Sequence, residues 1–213
     1  MEPIEKGLKS EKQAAIARIQ DYVIESVLAI DQNIIMHGGT AIWRCYNGKR
    51  FSYGIDMYAT DSQVEKLMKE LSGQVSKRGI MMDYPIHTKR IIDMHNSEAN
   101  VKLELLPKPK LKSVQMEYVK ADGTKMFVNT LSASDFVLEK IKAYESREYA
   151  RDLYDIYHLI STTNINAKAK KAQAKFLLHI KKPNDGTQLS DLVYEGIAPT
   201  FTTMITYIRE SLK

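Results

Sequence analysis

The sequence predicts an α+β protein: a mixed β-sheet with flanking helices over residues 1–130, then a C-terminal helical bundle over residues 131–213. Three observations predict it. Short apolar or alternating runs recur between helical patterns up to about residue 130 and are closed by Gly, Pro or Asn. Beyond Leu131 the alternation stops and apolar residues recur mainly at helical spacing. The chain has 213 residues, 44% of them hydrophobic and 27% charged, enough for one large domain or two small ones.

Each element has its own signal. Ser10 with Gln13 forms a helix start, and Ile16, Ile19, Val23, Val27 and Ile30 repeat at helical spacing, which predicts a helix over 10–31. Asn33 to His37 is a short apolar run ending in Gly38-Gly39, a buried strand; Thr40 to Tyr46 follows as a short helix and Asn47-Gly48-Lys49 as a turn. Ile55 to Ala59 is a second strand. Val64, Leu67, Met68 and Leu71 give one face of a helix over 61–72. Strands are expected around 80–84 and 90–94. Asn100 to Leu106 alternates, with Val101, Leu103 and Leu105 on one face and Lys102 and Glu104 on the other, until prolines end it. Val114–Val119 and Lys125–Asn129 flank the hairpin turn ADGT. Ser132 with Asp135 opens the helical part, and a last helix is expected over 199–212.

Composition removes several function classes. No apolar run reaches the length of a membrane span, the N-terminal stretch MEPIEKGLKSEKQ is too polar for a signal peptide, and one cysteine, Cys45, excludes an internal disulfide framework. The expectation is a cytoplasmic protein without a membrane partner. Net charge is +5, and residues 167–182 carry six lysines and no acid. Two readings of that segment stand side by side: a nucleic-acid patch, or a solvated helix face beside a buried stripe of Phe176, Leu177 and Ile180.

The chemistry concentrates in HGGTAIWRCYNGKRFSYGIDMY, residues 37–58. A strand ending in Gly-Gly and turning into a helix brings backbone N–H groups close to a ligand, so Gly38 and Gly39 suit a phosphate, and Thr40 adds a hydroxyl. Strand alternation puts positions 54 and 56 on one face. Carboxylates there would bind Mg²⁺, a hard cation that keeps phosphates as partners, and Glu104 on a neighbouring strand is a third candidate. Three carboxylates around two metal ions suit in-line displacement at phosphorus. Here one of the three positions is Gly54. In the helical part, Lys140 falls inside the apolar arc of Phe136, Val137, Ile141 and Tyr144, while Lys142 falls outside it; an inward lysine is paired, snorkelling or functional. His87 and His95 with Asp93 match no standard metal spacing.

The same residues resemble the signature of AbiEii/AbiGii-type nucleotidyltransferase toxins, a MenT-related group with the DNA polymerase β-type nucleotidyltransferase fold. His37-Gly38-Gly39-Thr40-Ala41 matches a GGTAL-like turn, and Arg50-Phe51-Ser52-Tyr53-Gly54-Ile55-Asp56 matches R-x-S-x-D-I-D except at Gly54, where the family has its first metal-binding aspartate. Lys140 and Arg151-Asp152-Leu153-Tyr154-Asp155-Ile156 match two later helical motifs, and the resemblance covers residues 33–160.

The resemblance implies transfer of a nucleoside monophosphate from an NTP to an acceptor such as tRNA or other RNA, with two Mg²⁺ ions. It also implies a toxin–antitoxin or phage-defence setting with a cognate antitoxin. NTP binding would fall to Gly38, Gly39, Thr40, Arg50, Ser52 and Lys140. Metal binding would fall to Asp56 and Glu104, and Asp152 would support a reacting group. Gly54 implies an impaired chain. The alternatives are a non-catalytic nucleotide- or RNA-binding pseudoenzyme, and a nucleotidyltransferase acting on an aminoglycoside-like small molecule.

Overall fold

The structure is a computed structural model and describes residues 3–84, 90–107, 112–185 and 188–213. The chain divides into two compact units. The first comprises Met1–Cys45 with Phe51–Thr130, and the second comprises Tyr46–Arg50 with Leu131–Lys213.

In the first unit, helix α1 (Glu11–Ile30) starts where the Ser10 side chain accepts from the Gln13 amide, and its apolar stripe of Ile16, Ile19, Val23 and Val27 is buried. Strand β1 (Ile35–His37) runs directly into helix α2 (Gly38–Cys45). That helix begins two residues before the expected Thr40. Gly38 adopts φ +72°, a left-handed conformation that glycine tolerates, and lets the chain turn at once from strand to helix. Then come β2 (Ile55–Ala59), α3 (Asp61–Val75), β3 (Met81–Asp83), β4 (Ile91–His95), β5 (Asn100–Pro107), β6 (Val114–Val119) and β7 (Lys125–Thr130). A Thr60/Gln63 capping box opens α3, which continues past the expected Ser72 because Val75 is still buried.

The seven strands form one mixed sheet in the order β3-β4-β5-β2-β1-β7-β6. The β2–β5 and β1–β7 pairs are parallel and the others antiparallel. Alternation sorts the central strands: Ile55, Met57, Ala59, Val101, Leu103 and Leu105 are buried on one face, and Asp56, Tyr58 and Glu104 are half-buried on the other. A buried cluster ties α1 and α2 to the segment around β6. The Arg44 guanidinium donates to Asp21, Ala17 O and Val119 O, and Asp21 also accepts from Tyr118 and the Ala121 amide. Burial pushes the Asp21 carboxyl up, with Arg44, the Ala121 amide and the Tyr118 hydroxyl only partly offsetting it.

In the second unit, helices α4 (Ala133–Arg147), α5 (Ala150–Thr162), α6 (Ala167–His179), α7 (Leu189–Leu192) and α8 (Phe201–Glu210) form the helical part. Helix α4 packs on α5 and α6, and α8 on α5 and α6. The segment 46–50 belongs with them: the Tyr46 hydroxyl donates to Leu131 O at 2.7 Å, and the Tyr194 amide donates to Lys49 O at 3.1 Å. Helix α6 buries Ala169, Gln173 and Phe176. The expected stripe of Phe176, Leu177 and Ile180 is thereby corrected; Leu177 and Ile180 are only half-buried. Gln173 can take a core position because its amide donates to Ile208 O at 2.6 Å. Lys168, Lys170, Lys171 and Lys175 are exposed.

Candidate functional site

The sheet unit brings Gly38, Asp56 and Glu104 together. Asp56 on β2 and Glu104 on β5 are register partners in a parallel pair, so they sit side by side on the half-buried face. On the other side of β2, Asp56 is the register partner of His37, which stacks on Tyr58 with ring centroids 3.7 Å apart. The Gly38 backbone lies so close to Asp56 that a Cβ at position 38 would collide with the carboxylate. The first turn of α2, with its free N–H groups, therefore starts beside a carboxylate pair.

Gly54 lies one residue before β2 and is half-buried. A Cβ there would meet one atom within 4 Å, the Lys102 carbonyl oxygen at 3.4 Å, and its backbone is not left-handed. An aspartate fits at 54 with little adjustment. The Gly54 carbonyl oxygen is held twice, by the Thr40 hydroxyl at 2.5 Å and by Gln20 Nε2 at 3.3 Å. Gln20 Nε2 also donates to Ser52 O at 2.8 Å. Thr40 is fully buried and its hydroxyl donates to the Gly54 carbonyl. Ser52 is half-buried in the same loop.

Among the described residues no group of three or more His, Cys, Asp or Glu could hold a metal ion. The donor set of Asp56 and Glu104 fits one hard cation that takes one or two carboxylates and completes its shell with water and phosphate, and it falls one carboxylate short of a two-ion set. Of the weaker histidine cluster, His87 lies outside the described residues, and His95 Nε2 contacts Asp83 Oδ2 at 2.7 Å, with Asp83 opposite Asp93 in the β3–β4 register.

The helical unit holds the other expected site residues in a buried charge network. Arg50, expected near the nucleotide, is 4% exposed and grips Asp155 with Nε and Nη2, each at 2.6 Å. Lys140 is also 4% exposed and reaches Asp155 at 2.8 Å and Asp152 at 3.2 Å. Asp152 is fully buried and accepts in addition from Arg147 at 2.7 and 2.8 Å. Burial opposes the charges of Arg50, Lys140 and Asp155, yet their neighbours win. Burial would lower Lys140 and raise Asp155, but Asp155 and Asp152 hold the Lys140 ammonium above its usual range, and Arg50 and Lys140 hold the Asp155 carboxyl below its own.

Two of the expected site residues are held by neighbours in this unit. The Arg50 guanidinium is engaged by Asp155, and Asp152 anchors two cations, so neither presents an open side chain to a ligand. Asp155, which grips both Arg50 and Lys140, is 1% exposed. Gln20 and Arg147 escaped the sequence reading. Gln20 had a usable signal, a polar residue on the face of α1 that carries Ile16, Ile19 and Val23. Arg147 had none, because its partner is fixed only by the α4–α5 turn.

No helix among the described residues is long and apolar enough to cross a membrane. Comparison with known structures finds MenT4, a nucleotidyltransferase toxin of Mycobacterium tuberculosis, at TM-score 0.63 and 17% identity over 94% of this chain and 82% of that one. It also finds JHP933 from Helicobacter pylori, at TM-score 0.62 and 18% identity over 95% of this chain and 89% of that one. At such identities the likeness shows the fold, a nucleotidyltransferase-like one. No curated protein matches the sequence. The family model described as nucleotidyl transferase AbiEii toxin, type IV toxin–antitoxin system, matches residues 25–203, so the chain belongs to the AbiEii nucleotidyltransferase toxin family.

Proposed function

We propose that this chain is an impaired nucleotidyltransferase of the toxin–antitoxin type, and that its scaffold with a carboxylate at 54 transfers a nucleoside monophosphate from an NTP to an RNA acceptor, tRNA foremost. The observation that carries the reading is the carboxylate pair Asp56–Glu104, set beside the start of α2, with an open and unstrained position at 54 on the same strand line. In this reading Gly38 and Gly39 offer backbone N–H groups to phosphate, and Asp56 and Glu104 would hold Mg²⁺. That ion would neutralise triphosphate charge and polarise the reacting phosphorus. Asp56 and Glu104 position it, and Asp152 and Asp155 keep Lys140 charged in the helical unit.

Two features support an RNA acceptor over a small cationic one. Lys168, Lys170, Lys171 and Lys175 are exposed on α6, and among the described residues they form no ion pair. Such a surface attracts a phosphate backbone and repels an aminoglycoside. The test uses the Gly54→Asp protein with Mg²⁺, labelled NTPs and separate tRNA and aminoglycoside acceptors. Label on tRNA that disappears with Asp56→Asn or Glu104→Gln supports the reading. Label on aminoglycoside only would replace the acceptor, and NTP binding without any transfer would make the protein a pseudoenzyme.

A further inference from the structure

We propose that Gln20 and Thr40 are positioning residues for the metal-binding edge of β2: together they fix the backbone at 54 so that a carboxylate there points alongside Asp56. This rests on the reading of position 54 as a metal-ligand position.

Ser52 and Gly54 precede the β2 ladder, and side chains supply the donors for their carbonyls. Gln20 crosses from α1 with one amide nitrogen shared between Ser52 O and Gly54 O, and Thr40 reaches the same Gly54 oxygen from α2. Both side chains are fully buried. Among the described residues, Gln20 Oε1 accepts no hydrogen bond. Leaving a buried amide oxygen without a donor carries a cost, so the stabilising contribution of Gln20 rests on its N–H₂ group. That N–H₂ group aims two carbonyls, Ser52 O and Gly54 O. Thr40 occupies the first turn of the helix that begins against Asp56, so the same short segment sets the Gly38–Asp56 approach and the Gly54 carbonyl. A carbonyl fixed from two elements fixes the peptide plane, and with it the direction of a side chain on the same strand line as Asp56. Groups that hold a ligand residue from behind commonly change metal affinity about 10–100-fold when removed.

The experiment measures Mn²⁺ affinity by paramagnetic resonance on the full chain, with far-UV circular dichroism confirming the fold of each variant. Gly54→Asp is expected to bind Mn²⁺ more tightly than the unaltered chain. Adding Thr40→Val or Gln20→Met is expected to weaken that binding about 10–100-fold, while Thr40→Ser, which keeps the hydroxyl, retains it. If Gln20→Met fails to fold, the Thr40→Val and Thr40→Ser pair decides. Unchanged affinity in the folded double variants overturns the proposal alone. No gain from Gly54→Asp overturns the ligand reading of position 54, and the proposal with it.

Discussion

Replacing Asp155 by Asn tests the buried network of the helical unit. The substitution nearly keeps shape and removes one charge. The Asn amide keeps one acceptor oxygen but carries no charge, so Arg50, with bonds of 2.6 Å, and Lys140, at 2.8 Å, both lose their buried carboxylate, and an N–H₂ group replaces one of its oxygens. Removing one partner of a buried pair costs about 3–5 kcal/mol, because the remaining charges stay desolvated. Equilibrium urea unfolding followed by far-UV circular dichroism should show a loss of that size. A loss below about 1 kcal/mol would refute the reasoning, since it would mean that the pairs behave as solvated surface pairs do. The sign of the pH dependence follows from the Asp155 carboxyl, held below its usual range by Arg50 and Lys140 against burial. Its contribution is complete above the unfolded carboxylate value of about 4 and is lost as pH falls from there through the lower folded value. The unaltered protein should therefore lose stability on acidification across that window, and Asp155→Asn should lose less.

Gly38→Ala combines a left-handed backbone with a collision against Asp56 and should cost at least about 1–3 kcal/mol, visible as a lowered melting temperature. The Cys45 thiol is pushed up to about 12 by burial, with Arg44 offsetting only part of it, so alkylation of the folded protein at pH 8 should run about three orders of magnitude slower than for a free thiol and recover on unfolding. Alanine at Lys168, Lys170, Lys171 and Lys175 should weaken RNA binding and flatten the logarithmic salt dependence by about 0.7 for each phosphate no longer neutralised; an unchanged slope would remove α6 from the RNA surface.

The sequence displays this site unevenly, for physical reasons. The Gly-Gly turn and the β2 alternation are local, so the sequence places Gly38 at a turn and positions 54 and 56 on one face, while the family resemblance marks 54 as a ligand position. That Glu104 sits beside Asp56 depends on a parallel pairing between strands far apart in the chain, which alternation allows but does not dictate. Lys140 announces itself as a charge within an apolar arc. The partners that keep it charged do not, because Arg50 and Asp155 are 105 residues apart and no local pattern joins them. The buried face of α6 is hidden by chemistry rather than distance: Gln173 reads as polar until the Ile208 carbonyl gives its amide a partner.

The most direct measurement of the central claim compares this chain with Gly54→Asp, each incubated with Mg²⁺, labelled NTPs and total tRNA. Label transferred to tRNA by Gly54→Asp, abolished by chelation and far weaker in the unaltered chain, is the predicted result. Equal transfer by both proteins, or no transfer by either with NTP binding intact, would contradict the account of Gly54 as the missing metal ligand of an RNA nucleotidyltransferase.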